Sequence, residues 1–207
     1  MDTLTENAAE GNDTLDFSAV TVPLTFNIGS AIVGDGGLPP NTVTHTPGNV
    51  ENLMGGVAND AFIFADGVTL AGGTGTIDGG GGTANTLDYS LYTTNVTVNL
   101  MSGLATGTAG VTRIQNITGG SGNDTLIGDN AVNVIIGNDG DDTITGNGGN
   151  DALSGGLGND TFIFANGWGI DTLVDAGGTD TLDFGTATAT LNFRHGSQMN
   201  PNTFTTL

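Results

Sequence analysis

The sequence predicts an all-β chain whose centre is a parallel β-roll, a β-solenoid of very short strands, flanked by further β-solenoid-like modules. Three observations carry that expectation. From Gly119 to Ile163 the chain divides into nines without a slip of register: GGSGNDTLI, GDNAVNVII, GNDGDDTIT, GNGGNDALS, GGLGNDTFI. In every nine the eighth residue is large and apolar (Leu126, Ile135, Ile144, Leu153, Phe162) and the sixth carries a short side-chain oxygen (Asp124, Asn133, Asp142, Asp151, Asp160). No helical period accompanies them. Apolar runs are short, rich in β-branched and aromatic residues, and bounded by Gly, Asn and Asp, which are strand signals with turn punctuation.

Taken in order, residues 1–50 form an N-terminal β segment with a variable loop. Its phrase Asn12-Asp13-Thr14-Leu15-Asp16-Phe17-Ser18 leads into Val22, Leu24, Phe26 and Ile28, whose period of two predicts a half-buried strand. Pro23 favours an edge strand or a strand's first residues. The loop Gly29–Gly48 holds Pro39, Pro40 and Pro47.

Residues 51–118 form a degenerate module with one recognisable nine, Gly55–Ile63, and a second variable loop, Ser102–Thr112. The entry phrase returns there as Asn85-Thr86-Leu87-Asp88-Tyr89-Ser90 and leads to Val96, Val98 and Leu100. The roll core is 119–163, and 164–207 is a closing β segment in which Trp168 is expected to cap the last coil. A third copy of the phrase, Thr179–Phe184, leads there to Leu191 and Phe193. The chain starts and stops inside module copies, so the expectation is a piece of a longer tandem protein.

The formal net charge over 207 residues is -20, with Arg113 and Arg194 the only cations beside two histidines. Nucleic acid needs clustered Lys and Arg against phosphate, and an anionic membrane would repel such a chain. The acids are almost all aspartates, with glutamate only at Glu6, Glu10 and Glu51. A merely solubilising surface would use both, whereas Asp beside Gly and Asn is turn chemistry and a compact oxygen donor for a hard cation. A halophile-like acidic surface explains the charge but not the nine-residue phase. The absence of cysteine removes disulfides and thiolate metal sites. The N-terminus lacks a basic region before an apolar run, so no cleaved secretory signal is expected, and no segment is apolar enough to insert in a bilayer.

Within each nine, residues 7–9 make a short strand with the eighth side chain inward, and residues 1–6 reverse the chain. Two nines close one coil. The turns of the first, third and fifth nines then lie on one edge, and those of the second and fourth on the other. One large apolar side chain per nine residues does not offset the cost of ordering nine residues. Stacked turns also bring aspartates together, which is repulsive. A cation between turns reverses that sign. Ca²⁺ takes six to eight oxygens in a forgiving geometry, where Mg²⁺ demands a strict octahedron.

The pattern GGxGxDxUx, with U apolar, resembles the RTX (repeats-in-toxin) hemolysin-type calcium-binding nonapeptide. The resemblance implies a Ca²⁺-stabilised parallel β-roll in which each turn offers carbonyls two and four and carboxylate six. Carried onto this chain, it places one site between Gly120, Gly122, Asp124 and Asn138, Gly140, Asp142. A second lies between the latter three and Gly156, Gly158, Asp160. On the opposite edge Asp129, Ala131 and Asn133 face Asn147, Gly149 and Asp151, and Ala131 and Asn133 depart from the motif, so weak or no binding is expected there. Asp60 is either a further ligand or a plain Asx turn, and Asn85, lacking a carboxylate, reads as structural.

No catalytic set stands out. His45 and His195 are isolated, no HExxH or GxSxG occurs, and Gly79–Gly82 does not open a helix. The expected function is a calcium-binding structural or adhesive module of an exported bacterial surface or filament protein, folding on Ca²⁺ outside the cell. Two alternatives remain: a non-catalytic export and folding module of a larger secreted hydrolase or toxin, and a carbohydrate-binding module. The partners expected are calcium ions, head-to-tail copies of the chain, or a glycan or cell-surface ligand.

Overall fold

The structure, a computed structural model, describes residues 13–29 and 50–188, and the backbone of four further short strands at 2–3, 32–34, 42–44 and 203–206. His45, His195, Leu191, Phe193 and the prolines of the first variable loop lie outside the described residues. Strands are parallel with few exceptions, and a single 3-10 turn, Leu70–Gly73, is the only helical element among the described residues.

Strands of three residues recur because only their central side chain turns inward. In Thr125–Ile127, Thr143–Thr145 and Thr161–Ile163 the middle residue is buried and its neighbours are half-buried. Equivalent positions therefore stack in register: Val98, Leu126, Ile144, Phe162 and Leu182 on one sheet. On the facing sheet the column is Phe26, Phe62, Leu87, Ile117, Ile135, Leu153 and Leu173. From Asn116 to Asp183 successive strands alternate between these two sheets, as two nines per coil require. Strands of the second and fourth nines are longer than expected, Val134–Asp139 and Ala152–Leu157, because the backbones of adjacent turns also pair, Asn138 with Gly156 and Asp139 with Leu157.

The N-terminal half is wound differently. The long sheet continues through it, but its partner is a separate four-stranded sheet whose inward column is Leu15, Leu53, Ile77 and Val111. Between Thr86 and Thr118 one coil visits all three sheets, and there the four-stranded sheet hands over to the seven-stranded one. Coils are correspondingly larger, so the core holds rings: Phe26 stacks on Phe62 at 4.6 Å and Phe64 on Tyr89 at 4.7 Å. Those spacings are the distance between adjacent strands, which in-register aromatic columns inherit. Val22, taken from its period as part of the first long strand, is 45 % exposed, because the strand begins only at Thr25, after Pro23.

The stack does not stop at Ile163. Thr161–Ile163 pairs with Thr179–Asp183, and Ala152–Ser154 with Thr172–Val174. Phe164, Trp168 and Phe184 pack together there, Phe164 stacked on Phe184 at 4.9 Å with Trp168 edge-on to both.

Candidate metal centre

Each turn edge carries a ladder with one side chain per coil. On the first edge the Val96 N–H donates to Asp124 Oδ1 at 2.8 Å and the Asp124 N–H to Asp142 Oδ1 at 2.7 Å. The Asp142 N–H then donates to Asp160 Oδ1 at 2.8 Å and the Asp160 N–H to Asp180 Oδ1 at 3.1 Å. On the second edge Leu24 donates to Asp60, Asp60 to Asn85 and Asn85 to Gln115. Further along, Asn133 donates to Asp151 and Asp151 to Asp171. One oxygen of each sixth-position aspartate is thereby used in holding one coil to the next, whereas Asn133 reaches the preceding coil through its Nδ2.

What the sixth side chain accepts from its own turn divides the turns into two kinds. In turns 55–60, 119–124 and 128–133 the backbone N–H of the second residue donates to the sixth side chain: Gly56 to Asp60 Oδ2 at 2.7 Å, Gly120 to Asp124 Oδ2 at 2.7 Å, Asp129 to Asn133 Oδ1 at 2.9 Å. In turns 137–142, 146–151, 155–160 and 166–171 the second and fourth residues have positive φ: Asn138, Gly140, Asn147, Gly149, Gly156, Gly158, Gly167 and Gly169. That conformation is uncommon outside glycine and asparagine. Here no second-residue N–H donates to the sixth carboxylate of its own turn, and the Gly156 N–H donates instead to Asp175 Oδ1 at 3.3 Å. Asp142 Oδ2, Asp151 Oδ2, Asp160 Oδ2 and Asp171 Oδ2 are buried without a hydrogen-bond partner, as is Asp180 Oδ2.

The cause is the neighbour each turn packs on. Turn 119–124 lies against the loop that holds Tyr92, with Ser121 N–H donating to the Tyr92 carbonyl at 2.9 Å. Turn 128–133 lies against Gln115, whose carbonyl accepts from Asn133 Nδ2 at 2.8 Å. Only from the next turn on does each nonapeptide stack on another.

A buried carboxylate oxygen with no donor is costly, and burial pushes these groups up. Burial, reinforced by the charges of Asp124, Asp160 and Asp141, raises the Asp142 carboxyl to about 7. Burial raises Asp151 to about 6 with the help of Asp171 and Asp129, and Asp160 to about 6 with the help of Asp175 and Asp180. Asp124, Asp171 and Asp180 are also raised, burial being the main cause.

The donor set fits a hard divalent cation. The unpartnered buried atoms are all carboxylate oxygens, and the Gly155 carbonyl and Asp142 Oδ2 both lie beside Gly137. The first residue of a turn leaves the space: a Cβ on Gly137 would strike Asp142 Oδ2 and come 2.5 Å from the Gly155 carbonyl oxygen. Gly146 and Gly155 stand in the same relation to Asp151 Oδ2 and Asp160 Oδ2.

Of the residues expected from sequence, the structure stacks Gly122 and Asp124 on Gly140 and Asp142, and Asn138, Gly140 and Asp142 on Gly156, Gly158 and Asp160 along the first edge, and Ala131 and Asn133 on Gly149 and Asp151 along the second. Gly120, Gly122 and Asp124, like Asp129 and Asn133, lie in turns whose sixth side chain is already bonded to backbone N–H, and Asp60 shares that arrangement. Asn85 has a different partner set: its Nδ2 donates to three carbonyls, Gly79 at 3.0 Å, Gly81 at 2.7 Å and Arg113 at 2.9 Å.

Three aspartates were missed, namely Asp171, Asp175 and Asp180. Phe164 and Ala165 interrupt the phase by two residues, so the last coils span twenty residues instead of eighteen. Beyond the insertion two more nines follow, NGWGIDTLV and DAGGTDTLD, with Leu173 and Leu182 at the eighth position. Restarting the count after Ala165 finds them.

No curated protein matches the chain significantly. The family profile described as the RTX calcium-binding nonapeptide repeat (4 copies) matches residues 110–131 and 127–162. Stacked turns with sixth-position oxygens and an inward eighth residue are what that repeat encodes, and its metal is Ca²⁺; this stretch of the chain is a block of RTX calcium-binding nonapeptide repeats.

Proposed function

We propose that the chain is a calcium-ordered structural or adhesive module of an exported bacterial surface or filament protein. The observation that supports this best is the set of five buried, unpartnered carboxylate oxygens arranged along two edges of one strand stack. On the first edge the ligands are the carbonyls of Asn138 and Gly140 with Asp142, facing Gly156, Gly158 and Asp160. On the second, Asn147, Gly149 and Asp151 face Gly167, Gly169 and Asp171. Gly120, Gly122, Asp124, Asp129, Asn133 and Asp60 belong to the frame that positions these turns. Bound Ca²⁺ neutralises the facing carboxylates and so makes the stack stable.

Such sites do not exist in the unfolded chain, so binding free energy is folding free energy. Calcium is scarce inside cells and plentiful outside, where even weak sites fill. A chain of this kind is transported unfolded and orders on arrival. The role is structural rather than catalytic: the repeated apolar and acidic positions are consumed in holding coils together.

Circular dichroism in excess chelator, followed by added Ca²⁺, tests the reading. The expected result is a gain of β signal and a smaller hydrodynamic radius on calcium addition, with Mg²⁺ a poor substitute. A spectrum and elution volume indifferent to calcium would sink it.

A further inference from the structure

The first edge ends differently from the way it runs. In each turn above, the first residue is glycine: Gly119, Gly137 and Gly155. The oxygen placed opposite that glycine is the carbonyl of the next turn's first residue, Gly137 opposite Gly119 at 2.7 Å and Gly155 opposite Gly137 at 2.5 Å from the position of a Cβ. At Gly155 the series changes. What lies opposite, at 2.7 Å, is Asp175 Oδ1, a carboxylate oxygen in place of a carbonyl. Asp175 occupies the first position of the nine 175–183, where the motif has glycine.

The carboxylates of Asp160, Asp175 and Asp180 offer oxygens within 4.8 Å of one another. Asp160 and Asp180 are 1 % and 0 % exposed, and the Oδ2 atom of each has no hydrogen-bond partner. Asp160 Oδ2 and Asp175 Oδ1, the latter also accepting from the Gly156 N–H at 3.3 Å, both lie beside Gly155 where a Cβ would stand. Three carboxylates crowded into a buried gap repel one another strongly unless a cation lies among them. The Gly178 φ of +130° turns the fourth residue of this last turn as in the turns above.

We propose that Asp160, Asp175 and Asp180 form a three-carboxylate Ca²⁺ site closing the first edge, and that it binds calcium more tightly than the two-carboxylate gap between Asp142 and Asp160. Affinity of oxygen sites rises with the number of charged ligands. The proposal rests on the calcium reading above and adds a residue outside the motif. Its consequence is positional. The strand Thr179–Asp183 leads directly into Phe184, which packs on Phe164 and Trp168, so the first calcium taken up fixes the coil that carries the aromatic cap.

Competition between the full chain and a chromophoric calcium chelator tests it, with Asp175→Asn and Asp175→Gly beside the parent. The glycine variant restores the residue that the motif uses, so it is compatible with the turn even where the asparagine variant is not. The parent is expected to show one tight class above weaker ones. Both variants should weaken that class by at least about tenfold, one step on the scale set by ligand charge. Asp142→Asn should leave the tight class in place while reducing the weaker ones. Variants that titrate like the parent overturn the three-carboxylate site and leave the calcium reading standing. A parent that takes up no calcium overturns both.

Discussion

Asn85 and Asp142 occupy equivalent rungs and solve the same problem with different charge. Around Asp142 a buried carboxylate oxygen is left without a donor, and the proposed Ca²⁺ would neutralise it. Around Asn85 three carbonyls converge, and the side-chain amide itself donates to all of them, with the residue 0 % exposed. The amide satisfies the carbonyls that, in the proposed calcium turns, would face a metal. Replacing it by a carboxylate, Asn85→Asp, removes three donor contacts and faces three carbonyls with a buried charge. Leaving such groups unsatisfied costs about 3 kcal/mol or more in chelator. The same change creates an oxygen-only set that calcium can bridge. Thermal melts of the variant are therefore expected to fall well below the parent's in chelator and to recover part of the loss with calcium. A variant melting like the parent in chelator would refute this account of Asn85. The sequence showed that Asn85 lacks a carboxylate; it did not show the three carbonyls around it, because they come from loops of no fixed period.

The strand stack contains two kinds of coil. Coils of eighteen or twenty residues bury little more than one apolar side chain per strand and carry the unpartnered carboxylates. The larger coils before Asn116 bury stacked rings, and Tyr89 and Tyr92 donate their hydroxyls to the carbonyls of Thr106 and Val68. The Asp78–Arg113 ion pair ties two of those coils, though at an exposed site it contributes little. The larger coils should thus hold without calcium. Hydrogen exchange in chelator is expected to find amides of residues 52–118 protected and those of 134–183 exchanging freely, with calcium protecting the second set. Uniform loss of protection along the chain would contradict the division. The regular coils were legible in the sequence because Gly, Asp and Leu or Ile recur in phase. Two things were not. The hand-over between sheets at Thr86–Thr118 follows loop lengths that obey no period. The N–H-bonded turn 119–124 and the open turn 137–142 both fit the motif, and what separates them is the packing partner of Gly120.

At the scale of the whole molecule the stacked carboxylates couple folding to pH as well as to calcium. Asp142 titrates near 7, and Asp151 and Asp160 near 6, against 3.8 in an unfolded chain. Between those limits the calcium-free folded chain holds more protons than the unfolded one, so raising the pH favours unfolding. The contribution of these groups is fully present below about pH 4 and lost as the pH rises through about 6 to 7. Calcium reverses the dependence, since the metal takes the ionised form and must displace those protons. Melts in chelator should therefore show the chain more stable near pH 5 than near pH 8, and melts in excess calcium the opposite order, on the scale set by these titrations. Repulsion within a chain of net charge -20 acts in the same direction, but salt screens exposed charges and leaves buried ones largely unaffected. A pH dependence in chelator that survives at high salt belongs to the stacked aspartates. One that vanishes belongs to the surface, and the two ladders then have no part in it.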